Sequence, residues 1–67
     1  MRLGDKVKIK KLNRYSEKQT YLLNLTGIII YDDASNSQRY LVAVYVPKYK
    51  KTLYLYYGEE NLEAVSK

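Results

Sequence analysis

The sequence predicts an all-β domain: a small, five-stranded, partly open barrel that takes up residues 1–67 as one unit. Three observations predict it. Short runs of β-branched and aromatic residues alternate in parity, as half-buried strands do. Clusters of Gly, Pro, Asn, Asp and Ser punctuate those runs. No apolar pattern of helical period extends beyond a single turn.

Residues 5–11 read as the first strand, with Leu3, Val7 and Ile9 of one parity directed inward and Lys6, Lys8 and Lys10 of the other forming an outer row. Residues 13–20 are polar and without period, as in a long loop. Residues 21–25 end that loop as an irregular strand or a short helical turn, and Gly27 suits a bulge or a close backbone approach. The β-branched run Ile28, Ile29, Ile30, Tyr31 fits a buried strand. Residues 32–38 are rich in side chains that bond their own backbone in turns. In residues 39–46, Tyr40, Val42, Val44 and Val46 alternate with Arg39, Leu41, Ala43 and Tyr45, which predicts a central strand that Pro47 stops. Residues 48–51 form a basic hairpin loop. Residues 52–57 follow as a strand with leucines on one face and tyrosines on the other. Residues 58–61 break that strand, and 62–65 close the chain as a last short strand. Rolling five short strands into a partly closed barrel relieves the exposed edges and one-sided core of a flat sheet.

A domain of 67 residues buries only about 60% of the surface its unfolded chain exposes. With no Cys and no His, neither a disulfide nor a Cys/His metal centre can supplement the core. Nine Tyr, with Leu, Ile and Val, supply most of the packing material. No apolar segment follows the basic start Met1-Arg2-Leu3-Gly4-Asp5-Lys6, and the longest near-apolar run, residues 40–47, falls far short of the roughly 20 residues of a membrane helix. The expectation is a cytoplasmic protein without membrane contact, metal or cofactor.

Catalysis at neutral pH usually recruits His, Cys or a tuned carboxylate pair. The first two are missing, and the neighbours Asp32-Asp33 and Glu59-Glu60 diverge in extended backbone, so both pairs read as turn residues and no catalytic residue is assigned. Residues 32–38 lack the central Gly and terminal Glu of a calcium loop.

The succession Gly4-Asp5-Lys6-Val7-Lys8-Ile9, Gly27-Ile28-Ile29, Arg39-Tyr40-Leu41-Val42-Ala43-Val44 and Glu60-Asn61-Leu62-Glu63-Ala64-Val65 resembles the SH3-like barrels of KOW-type modules and of small bacterial and viral relatives. A weaker resemblance extends to the SH3-like component of photosystem I. These likenesses span nearly the whole chain and imply a five-stranded SH3-like, partly open barrel of the kind that binds nucleic acid or ribosomes. The plasmid-borne trimethoprim-resistance dihydrofolate reductases are also SH3-like and of similar size. Tyr54 stands where their pore motif has glutamine, so their activity is not carried over.

Net charge is +5, concentrated in residues 1–18 and 48–51, a pattern that suits nucleic acid or an acidic protein surface. On one strand face Lys6, Lys8 and Lys10 would stand about 6.5–7 Å apart, close enough to follow a phosphodiester backbone. Lys48, Lys50 and Lys51 extend that row if the fold brings their loop alongside. Tyr49, Tyr54 and Tyr56 offer flat faces on which bases stack. The same exposed tyrosines suit a protein interface, either docking or homo-oligomerising, formed by Tyr54, Tyr56 and the 13–25 loop.

Overall fold

The computed structural model describes residues 1–65. Five antiparallel strands form one sheet: β1 (Lys6–Ile9), β2 (Thr26–Asp32), β3 (Tyr40–Val46), β4 (Lys51–Tyr57) and β5 (Leu62–Ala64), in the order β4-β3-β2-β1-β5. Two single 3₁₀ turns, Thr20–Leu22 and Glu59–Asn61, precede β2 and β5. No helix among the described residues is long and apolar enough to cross a membrane.

The alternation in β3 decides the inner face. Tyr40, Val42, Val44 and Val46 are buried, and Val7 and Ile9 from β1 and Leu62 from β5 join them. Leu22 of the first 3₁₀ turn is fully buried against this face, with Leu12, Tyr21 and Leu25 packed around it. The long β1–β2 connection is therefore the lid of the core. The turn holds its place through the edge of β1, where Ile9 N–H donates to Leu25 O at 2.9 Å and Asn24 N–H donates to Ile9 O at 2.7 Å. Asn24 adopts φ 72, a left-handed conformation that Asn tolerates better than most residues.

Gly27 sits where β2 crosses between its neighbours, paired with Val7 on one side and Val44 on the other. A Cβ there would lie 2.6 Å from Ala43 O and 2.7 Å from Val42 Cγ1, so the approach of β2 to β3 requires glycine. A register shift between Ile29 and Tyr31 follows two residues later.

Several expectations are corrected. Leu3 is 59% exposed rather than inward, because Gly4 (φ 87) turns the chain before the strand begins at Lys6. The first strand also ends sooner, at Ile9, since the N–H groups of Lys10 and Lys11 both donate to Asn61 O. Of the run Ile28 to Tyr31 only Ile29 is buried: the sheet has one covered face, and the bulge leaves Ile30 and Tyr31 both exposed. Lys51 belongs to β4 and not to the hairpin loop. The expected partial closure, which would relieve the edges, is not seen either: the sheet does not close into a barrel. Among the described residues β4 and β5 do not pair, and each remains an edge of an open sheet.

Candidate functional site

The outer face follows from the register. Lys6 lies opposite Ile28, Ile28 opposite Ala43, and Ala43 opposite Tyr54, so one cross-strand row runs from a cation to an aromatic ring. Three strand spacings separate its ends, roughly 14 Å. A second row places Lys8 between Thr26 and Glu63, and a third sets Leu41 between Tyr31 and Tyr56. Tyr45 lies opposite Thr52 on the same face. Ile28, Ile30, Tyr31, Tyr45, Tyr54 and Tyr56 are all exposed there. This is a continuous apolar and aromatic surface with two lysines along one side.

The predicted site residues thus divide. Lys6, Lys8, Tyr54 and Tyr56 share the outer face, as their parity required. Lys51 has the parity of the half-buried Leu53 and Leu55 and lies on the opposite face of β4 from the two tyrosines. Lys48 and Tyr49 turn toward the lid: the Tyr49 and Tyr21 rings meet edge to face at 5.2 Å, and the Lys48 ammonium stands 5.6 Å from each ring. Lys50 occupies the left-handed position (φ 52) of the β3–β4 turn, and Lys10 lies past the end of β1. The two lysine groups do not merge into one row.

At the far end of the outer face, Tyr54 and Tyr56 form one wall of a cleft of about 300 Å³. Asn13, Tyr15 and Ser16 of the β1–β2 loop form the opposite wall, and Asn36 and Gln38 of the β2–β3 loop close it. A hydrogen-bond network fixes this meeting of loops. Gly58 N–H can only donate, and it reaches Gln38 Oε1 at 3.1 Å, which settles the orientation of that amide. Asn13 Nδ2 then donates to Gln38 Oε1 at 2.7 Å and to Tyr56 O at 2.9 Å. Asn13 Oδ1 accepts from Tyr15 N–H and from the Ser16 hydroxyl, both at 3.1 Å. With its one proton given to Asn13, Ser16 Oγ accepts from the Tyr57 phenol at 3.1 Å. Burial raises the Tyr57 phenol above its usual 10.0, and the Ser16 contact offsets part of that rise.

Beside the cleft, Asp32 and Arg39 form a bidentate ion pair across the β2–β3 loop; the guanidinium hydrogen bonds hold the carboxyl below its usual 3.8. Asp33 Oδ1 accepts from both the N–H and the hydroxyl of Ser35. Asp33 serves the turn, as its sequence context predicts, whereas Asp32 is the last residue of β2, opposite Tyr40. The Arg14 guanidinium donates to the Tyr15 hydroxyl at 3.1 Å and sits 5.2 Å from its ring centre.

Ile28, Ile30, Tyr31 and Tyr45 also belong to this surface, although no motif in the sequence singles them out. The parity of Tyr45 against the buried valines could have found it, whereas Tyr31 is turned outward by a bulge that leaves no compositional sign. Comparison with family models, curated proteins and solved structures finds no match for this chain.

Proposed function

We propose that this chain is a non-enzymatic, SH3-like binding module whose outer sheet face takes nucleic acid. The observation that carries the reading is the cross-strand row from Lys6 through Ile28 and Ala43 to Tyr54, which sets a cation and a stacking surface on one face. Phosphate contacts from Lys6 and Lys8 would steer the strand, and exposed rings at Tyr45, Tyr54 and Tyr56 would take unstacked bases, which favours single strands over duplex. The strand order, with a long first loop and a 3₁₀ turn before β5, supports the SH3-like reading.

A second reading has its own observation. Ile28 and Ile30 are exposed at the middle of the same face, 38% and 45%, and aliphatic groups there serve an acidic protein partner better than they serve bases. Titration of single- and double-stranded DNA and RNA at two salt concentrations separates the readings. The nucleic-acid reading expects single-strand binding that weakens steeply with salt, and reversal of Lys6 and Lys8 to Glu should abolish it with the far-UV spectrum unchanged. No binding at low salt would sink that reading and leave protein docking.

A further inference from the structure

Strand β4 is an exposed edge of unusual character. It is seven residues long, pairs on one side with β3, and after Lys51 reads Thr-Leu-Tyr-Leu-Tyr-Tyr, with no charge, proline or bulge to blunt it. Natural edges usually carry such devices, because unpaired N–H and C=O groups invite another strand. The other edge, β5, is three residues long and bears Glu63, which makes it a poor template.

The hydrogen-bond phase of β4 identifies the open groups. Asp33 N–H donates to Arg39 O, so odd-numbered residues at this end of β3 turn toward β2 and even-numbered ones toward β4. Their partners Lys51, Leu53, Leu55 and Tyr57 bond inward, which leaves Thr52, Tyr54 and Tyr56 facing outward. The Asn13 amide meeting Tyr56 O from outside agrees with this phase and covers that one carbonyl. Thr52 and Tyr54 remain open.

We infer that β4 pairs antiparallel with β4 of a second copy of this chain, joining two five-stranded sheets along their uncovered edges. Charge selects this occupant. The strand is flanked by Lys48, Lys50 and Lys51 at its start and by Glu59 and Glu60 just after its end. A two-fold axis at Leu53, which sets the open Thr52 of each copy opposite the open Tyr54 of the other, brings the basic turn of each copy beside the acidic 3₁₀ turn of the other, twice over. A parallel arrangement would instead stack lysine on lysine. The outer face continues unbroken across such a seam, so the arrangement is independent of what that face binds.

Sedimentation equilibrium across a concentration series, with amide hydrogen exchange, tests the inference. A concentration-dependent dimer is expected in which the Thr52 and Tyr54 amides gain protection as the dimer forms. Lys48→Glu with Lys50→Glu should weaken association roughly tenfold, and adding Glu59→Lys with Glu60→Lys should restore it. All four side chains are exposed, so far-UV spectra should not change. A monomer at every concentration overturns the inference, as does a dimer whose Thr52 and Tyr54 amides stay unprotected. Association indifferent to the double reversal, or not regained in the quadruple variant, overturns the antiparallel arrangement. None of these outcomes bears on nucleic-acid binding, which is read separately.

Discussion

Tyr57 joins the core to the loop network, since its ring is fully buried while its phenol reaches Ser16. Tyr57→Phe keeps the ring and removes one hydrogen bond, so it should cost about 0.5–1.5 kcal/mol at neutral pH. The sign at alkaline pH follows from burial, which holds the folded phenol above its usual 10.0. Below that value both states are protonated and the Tyr57 contribution is constant. Above it the unfolded chain loses its proton first, and stability falls with pH until the folded phenol also ionises. Urea denaturation should therefore show the gap between wild type and Tyr57→Phe narrowing above about pH 10. Asp32 runs the other way. Arg39 lowers its folded value, so its contribution is present above pH 3.8 and disappears as the pH falls through the folded value; Asp32→Asn should remove that acid-side dependence. At Gly27 the constraint is spatial. An Ala methyl would press on the Ala43 carbonyl and the Val42 side chain, and Gly27→Ala should lower stability by about 1–3 kcal/mol, read as a lower urea midpoint.

Strand β4 sorts its side chains by parity, and function should sort with them. Tyr54 and Tyr56 lie on the outer face, whereas Tyr49 in the preceding turn packs on Tyr21 beside Lys48. If bases stack on the outer face, Tyr54→Ala and Tyr56→Ala should each weaken single-strand binding by about 1–3 kcal/mol, while Tyr49→Ala leaves affinity nearly unchanged. Equal losses at all three positions, measured by fluorescence titration, would place the contact elsewhere. The same parity explains what was legible in the sequence. In β3 each valine alternates with a less buried neighbour, so its inner face could be read residue by residue. In β2 three consecutive isoleucines hide the alternation, and composition alone suggests burial that a sheet covered on one face cannot provide. The cleft was legible only in part. The tyrosine wall follows from alternation, and the 13–25 loop was expected beside it. The contacts among Asn13, Gln38, Gly58 and Tyr56 join residues far apart in the chain and leave no period to detect. The separation of the lysines has a similar cause, since the faces of Lys48 and Lys50 are set by a turn whose path the sequence does not encode in parity.

At the scale of the whole molecule, the sheet order sets the sequence of folding events. The β3–β4 hairpin closes through a short turn in which Tyr49 N–H donates to Val46 O and Lys50 N–H to Pro47 O. Pairing of β1 with β5 instead joins Val7 to Ala64, nearly the full length of the chain. Loop closure costs more entropy as length grows, and the contacts that reward the long closure are few, because β5 has only three residues. The hairpin, joined by β2, should therefore form the folding nucleus, with β5 docking after the barrier. Stopped-flow folding of core variants tests this order. Leu62→Ala removes a buried side chain of β5 and should accelerate unfolding while leaving the folding rate almost unchanged, a φ-value near zero. Val44→Ala, at the centre of β3 between Gly27 and Leu53, should slow folding, with φ of about 0.5 or more. A reversed pattern, with Leu62 high and Val44 low, would mean that the chain ends meet before the hairpin forms. A short, late-docking β5 would also leave the β1 edge open more often than the hairpin opens. The amide of Val65, which donates to Lys6 O, should accordingly exchange by local opening, well ahead of those in β3.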